Sequence, residues 1–360
     1  MYEVRELREL EDLDLLPWFD RPTAEALEAL VIPESLFLRQ IPARARSSTL
    51  VGAPVAAVRP PAQGSATMST WAYQLEPDLP PLGTVIEKYR LQGIIGIGGF
   101  ATVFRARHLL LETDVALKLL RPSVVRNRPR LPRLLCEEAR FAARIRHPNV
   151  VRMLDVTHTD QLTYLVMEFI DGPDLAVMTR RRGRLPGKMV LKIIEHVVAG
   201  LAAGLHEDVM HRDIKPSNIL LTSSGITKIV DFGLARSTLE ASTKVVGTAD
   251  YMSPEQVERP TEVDFRSDLY SLGVTAYQAL LGRLPYVAVE GPHPDAIVPP
   301  DAADASIPSP VSELVMWLLE RDPRARPGSY DALRDAIASC RRTLELQSHS
   351  QGSHGSQDHG

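Results

Sequence analysis

Eight consecutive positions, His211-Arg212-Asp213-Ile214-Lys215-Pro216-Ser217-Asn218, bring together a carboxylate, two cations and a carboxamide. Beyond them, Asp231-Phe232-Gly233 follows the apolar pair Ile229-Val230, so a second carboxylate can return to the same place at the end of a short hairpin. These residue types suit phosphoryl transfer. That reaction asks a protein for little covalent work and much positioning: a carboxylate to orient a hydroxyl, a cation on the moving phosphoryl, and hard oxygens for a divalent metal. A carboxylate with a pKa of about 4 is a poor base for an alcohol, so the larger role expected of Asp213 is orientation. Lys215 is expected to supply positive charge to the moving group. Asn218 and Asp231 offer oxygens of the kind Mg²⁺ takes, and Mn²⁺ would accept the same donors.

Upstream elements must place a nucleotide against this loop. Tyr89 to Ile95, then Gly96-Ile97-Gly98-Gly99-Phe100-Ala101-Thr102-Val103, reads as strand, glycine-rich turn and strand, because glycine lets a backbone approach phosphates closely. Taken alone the pattern is weak and fits an ordinary hairpin. The strand Val115-Ala116-Leu117-Lys118 then sets one lysine in an apolar run, where an unpaired ammonium would be costly. Lysine is scarce in this chain, which has only Lys88, Lys188, Lys192, Lys228 and Lys244 besides Lys118 and Lys215. Finding it at both motif positions is therefore informative. The amphipathic segment from Leu134 to Ile145 carries Glu137 and Glu138, either of which could meet Lys118. Val150 to Val156 and Leu162 to Glu168 read as strands. Lys188 to Leu205 carries an apolar stripe at helical spacing and reads as a core helix delivering the chain to the loop.

H-R-D-I-K-P-x-N followed by D-F-G resembles the catalytic loop and metal-binding motif of the eukaryotic-like protein kinases, in their bacterial serine/threonine-specific (Hanks-type) form. The resemblance covers about residues 86 to 342. It implies an α+β bilobal fold with a small, mostly β N-lobe to about residue 170 and a larger helical C-lobe. It also implies ATP and Mg²⁺ as cofactors and protein serine or threonine hydroxyls as substrates. Asp213, Lys215, Lys118 and Glu138 would then be catalytic, with Glu138 favoured over Glu137 by its distance from His147-Pro148-Asn149. Gly96, Ile97, Gly98, Gly99, Phe100, Ala101, Val103, Ala116 and Lys118 would line the nucleotide site. Met167 would be its gatekeeper, Glu168 and Ile170 would hold the adenine edge by backbone, and Asp174 would lie near the ribose. Asn218 and Asp231 would hold the metal. Arg212 implies switching by phosphorylation of the activation loop, with Thr238, Ser242 and Thr243 as acceptors and Thr248 against Asp213 and Lys215. Glu255 should pair with Arg326, and Asp268 should brace the catalytic loop.

The chain departs from the family's pattern in places. Ala101 replaces a third glycine, Ser253-Pro254-Glu255 replaces Ala-Pro-Glu, and the Pro-rich stretch from Tyr286 to Ile307 is short for the family's αG helix. The last departure bears on substrate docking more than on ATP chemistry. Two other readings of the same residues are a nucleotide-binding scaffold without turnover, which the intact Lys118, Asp213, Asn218 and Asp231 argue against, and a small-molecule kinase, against which the full activation segment argues.

Composition sets outer bounds. The chain has 360 residues with a net charge of -4, which gives no reason to expect nucleic acid as a partner. Cys136 and Cys340 are its only cysteines, so there is no dense disulfide framework and a reduced, cytoplasmic setting fits. No uninterrupted apolar run approaches the ~20 residues of a membrane span. Residues 1–44 read as an extension, helical at least in the spacing of Val4, Leu7, Leu10 and Leu13, and 45–85 as a Pro/Ala/Ser-rich linker in which Met68 is a second candidate start. Residues 343–360 read as a disordered tail. Self-association is left open.

Overall fold

A computed structural model of the chain describes residues 79–159, 162–232, 249–286 and 297–352. Its first half is a six-stranded antiparallel sheet of β1 (Val85–Ile86), β2 (Tyr89–Ile97), β3 (Ala101–His108), β4 (Thr113–Leu120), β5 (Met153–His158) and β6 (Thr163–Glu168), in the order β1-β2-β3-β4-β6-β5. Two helices, α1 (Pro122–Asn127) and α2 (Leu131–Ala142), lie between β4 and β5. One face of the sheet packs Tyr89, Leu91, Phe104, Leu117, Leu119 and Tyr164 together, while Leu131, Leu135 and Ala139 of α2 meet Ala101, Leu120 and Leu165. That division follows from strand alternation, since successive side chains leave opposite faces.

The second half is helical: α3 (Leu175–Arg182), α4 (Gly187–His206), α5 (Pro254–Glu258), α6 (Arg266–Leu281), α7 (Pro300–Ala303), α8 (Ser309–Leu318) and α9 (Tyr330–Gly352), with the small hairpin β7 (Ile219–Leu221) and β8 (Thr227–Ile229). The stripe read from Lys188 to Leu205 is α4, whose Ile194, Val197 and Val198 are fully buried in this half's core. By length and hydropathy α4 alone among the described helices could cross a membrane, a property that counting uninterrupted apolar residues missed. About half of its most apolar window, 56%, is buried against the other helices, as in a core helix.

Four expectations need correction. Residues 79–85 are not linker: Leu79 is buried, Gly83 N–H donates to Leu91 O at 2.8 Å, and Val85–Ile86 pairs with β2. Burial of Leu79 and Ile86 outweighs the local proline content. The strand expected from Val150 begins at Met153, because Val151 N–H instead donates to Ile229 O at 2.8 Å and Val150 bridges to β8. Residues 343–352 are helical rather than a disordered tail, since α9 meets no proline or glycine before Gly352, and Arg341 anchors it to Glu195 at 3.1 Å. The Lys118–Glu138 pair, described below, is the fourth. In the Pro-rich stretch the described residues hold only the four-residue α7.

Candidate active site

The catalytic loop leaves α4 and is fixed from beneath. Asp268, near the start of α6, accepts His211 N–H at 2.8 Å through one carboxylate oxygen and Arg212 N–H at 2.6 Å through the other. The bracing role expected of Asp268 is thus a matter of two backbone bonds. Burial pushes this carboxyl up, and the nearby His211 together with the two amide donors pulls the other way without cancelling it. His211 also bonds Val230 O at 2.8 Å and sets its ring edge-on to Phe232, with centroids 4.8 Å apart. The loop and the following Asp-Phe segment are therefore clamped to one another.

Two glycines, absent from the sequence reading, make that clamp fit. Gly204 on α4 faces Phe232, and a Cβ there would lie 2.4 Å from the ring; Gly200, one turn earlier, would strike Ile229 at 2.8 Å. Their i, i+4 spacing was the available signal. Arg212 and Asp231 both hold left-handed backbone, with φ of 66° and 62°. Such residues cluster where surrounding bonds over-determine the chain.

Above this base the reactive groups converge. Lys215 Nζ lies 2.8 Å from Asp213 Oδ2 and 3.1 Å from Oδ1. Asn218 Nδ2 donates to Asp213 O at 2.8 Å and to Oδ2 at 3.1 Å, which leaves its amide oxygen as an acceptor. Asp231 Oδ2 meets Lys118 Nζ at 2.8 Å, leaving Oδ1 as a second acceptor. Burial alone would raise the Asp231 carboxyl, but the charge and hydrogen bond of Lys118 hold it below the ordinary carboxylate value, so it is ionised at neutral pH. An amide oxygen and an ionised carboxylate are hard donors and fit a divalent cation. Among the described residues no three His, Cys, Asp or Glu side chains gather as a metal cage.

Lys118 was expected to pair with Glu138. In the structure its ion pair is with Asp231; Glu138 is buried on α2 and engaged elsewhere. Asp231 sits at a hairpin end directed at β4, and a carboxylate already at 2.8 Å satisfies the ammonium.

The nucleotide-side residues share a face. Val103 opposes Lys118 across β3 and β4, Ala116 opposes Met167 across β4 and β6, and Gly96 opposes Val103 across β2 and β3. Because directly opposed residues point the same way and i, i+2 residues repeat a face, these five line one side of the sheet. Gly98, Gly99 and Phe100 form the turn between β2 and β3, flanked by Ile97 and Ala101. Glu168 uses its carboxylate on Arg152 N–H and Lys228 Nζ, each at 2.8 Å, leaving contacts of its backbone to the connection that includes Ile170. Asp174 is a helix cap: Oδ1 accepts Val177 N–H at 2.7 Å at the start of α3, which competes with a ribose contact.

Glu255 and Arg326 form the expected pair, bidentate at 2.6 and 3.0 Å and almost wholly buried. Arg326 also donates to the carbonyls of Glu320, Arg266 and Arg321, and Ser267 Oγ donates to Glu255 at 2.7 Å. Gln256, missed by the sequence reading, donates to Arg212 O at 3.1 Å and so ties α5 to the catalytic loop. Thr238, Ser242, Thr243 and Thr248 lie outside the described residues.

Residues 89–337 match the protein kinase domain family. The chain is 38% identical over 267 residues to the serine/threonine-protein kinase PknA of Corynebacterium glutamicum, covering 70% of this chain and 56% of that protein. It is 35% identical over 286 residues to the serine/threonine-protein kinase pkn3 of Myxococcus xanthus, covering 73% and 52%. It is 34% identical to PknB of Mycobacterium tuberculosis, covering 67% and 41%. The chain thus spans about half, or less, of the length of these relatives. A crystal structure of the PknI kinase domain of Mycobacterium tuberculosis superposes with a TM-score of 0.61 at 25% identity, covering 73% of this chain and 99% of that one. The chain belongs to the protein kinase family, in its bacterial, Hanks-type serine/threonine branch.

Proposed function

We propose that the chain is an ATP-dependent serine/threonine protein kinase that transfers the γ-phosphoryl of Mg-ATP to protein hydroxyls. The observation that carries this reading is the convergence of Asp213, Lys215, Asn218 and Asp231 on one loop-and-hairpin pair, with Lys118 reaching Asp231 from the sheet.

Asp213 accepts the substrate hydroxyl's hydrogen bond and aims its oxygen along the transfer line; Asn218 and Lys215 hold that carboxylate in place. Lys215, within 3 Å of Asp213 Oδ2, is placed to leave that carboxylate for the charge that develops on the phosphoryl oxygens. Asn218 and Asp231 would hold Mg²⁺, or Mn²⁺, whose charge would offset that of the phosphates. Lys118 and the Gly96–Ala101 turn bind the phosphates. The backbone of Glu168 and Ile170, under the gatekeeper Met167, holds the base. Arg212 answers a phosphate on Thr238, Ser242 or Thr243, which makes activation-loop autophosphorylation the mode of control, with Thr248 contacting Asp213 and Lys215. The domain works in the cytoplasm, where ATP is at hand and Cys136 and Cys340 remain the free thiols they are here.

The test is incorporation of label from γ-labelled ATP by wild type, Asp213→Ala and Asp231→Asn. Labelling of polypeptide that both changes abolish is the expected result. A wild type that binds ATP without labelling anything would favour a scaffold, and label in a metabolite but in no polypeptide would favour a small-molecule kinase.

A further inference from the structure

Arg121 follows β4 directly, three residues after Lys118. Its Nη2 donates to Gly98 O at 2.9 Å and to Gly99 O, and its backbone N–H donates to Phe100 O at 3.0 Å. Three consecutive carbonyls of the glycine turn therefore end on a single residue. Among the described residues little else restrains the turn. Gly98 N–H closes it onto Ala101 O at 2.9 Å, and a Cβ at Gly99 would meet nothing within 4 Å. Arg128 adds a cation over the Phe100 ring, 5.2 Å from its centroid.

The direction of these bonds matters. In a planar trans peptide the C=O and the following N–H point opposite ways. Drawing the Gly98 and Gly99 carbonyls toward Arg121 therefore turns the N–H groups of Gly99 and Phe100 to the other side. The backbone at Arg121 is still extended, with φ -71° and ψ 130°, so strand alternation puts its side chain on the face opposite that of Lys118. The two amides are turned toward the face that carries Lys118.

We infer that Arg121 is a positioning residue for the nucleotide's phosphates: it touches none of them, and by holding carbonyls on one side of the turn it presents amide donors on the other. The inference rests on the ATP-dependent reading and assigns a residue to it. Two adjacent carbonyls need a rigid, planar fork, which an ammonium on a flexible stem does not reproduce.

The test compares wild type, Arg121→Lys and Arg121→Ala in the full chain by titration with Mg-ATP and, separately, with adenosine, alongside KM for ATP and for a protein substrate. Both variants should lose roughly tenfold in ATP affinity, about one charge-assisted hydrogen bond. Adenosine affinity and the protein-substrate KM should stay within about twofold, because neither involves the turn's amides. Arg121→Lys keeps the charge. If it binds ATP like the wild type, charge alone matters and the inference is wrong. Equal loss for adenosine and ATP would mean general damage to the sheet and would also overturn it. A wild type that binds adenosine but gains nothing from the phosphates would refute the kinase reading itself, a result distinct from either variant's failure.

Discussion

The catalytic loop is held from below and approached from above by different means. Below it, Glu255 and Arg326 are within a few per cent of complete burial, and every nitrogen of Arg326 has an acceptor. Above it, Lys118 and Asp231 keep 18% and 27% of their side-chain surface exposed, and the glycine turn hangs on one arginine. A buried ion pair is costly to disrupt and so fixes geometry, whereas a partly exposed pair can exchange partners. The frame is built of the first kind and the reactive groups of the second.

Removing one member of the buried pair should give the largest effect. Arg326→Ala leaves a carboxylate without its partner and should lower unfolding free energy by roughly 3 to 5 kcal/mol, read by denaturant unfolding. Lys118→Met is the counterpart above the loop. It should cut turnover on the order of 10²- to 10³-fold, yet shift unfolding free energy by no more than about 1 kcal/mol. Comparable losses of stability in the two variants would erase the distinction drawn here.

Gly172→Ala probes the connection between the halves, where a Cβ would sit 1.9 Å from Leu221 O. Backbone must yield, and a loss of roughly 1 to 3 kcal/mol is expected by thermal or chemical unfolding. The frame should also show in acid. Burial raises the Glu255 carboxyl, but Arg326 and Ser267 hold it below its ordinary value of 4.5. Its stabilising contribution is therefore complete above that value and lost as pH falls through the lower folded pKa. Glu255→Gln, compared with wild type in unfolding at pH 3 to 7, should flatten that acid limb; an unchanged slope would place the ionised pair elsewhere. The smallest effect is expected at Arg341→Ala, whose bond to Glu195 is exposed on both sides and should be worth about 0.2 to 1 kcal/mol.

Much of the site was legible in the chain because its groups lie close in sequence. Asp213, Lys215 and Asn218 fall within six positions, and one turn is enough to bring them together. The distant pair Glu255–Arg326 was legible only through family resemblance, because no local pattern links positions 71 apart. Partner choice was less accessible: Lys118 in an apolar strand demands a carboxylate, but the family resemblance offered Glu138, over its neighbour Glu137, while the fold delivered Asp231. Gly200 and Gly204 read as ordinary helix residues until Ile229 and Phe232 packed onto them.

By its own order of residues the chain determined which chemistry it can support, since donor and acceptor types cannot be altered by folding. It also determined where its long helices and strands lie, since periodic burial is a local property. Tertiary structure decided which carboxylate meets Lys118, that Val85 and Ile86 join the sheet while Leu79 packs into its core, that α9 continues to Gly352, and that Arg121 gathers three carbonyls of a turn more than twenty positions away. Each of those outcomes depends on distances between segments, which only packing sets.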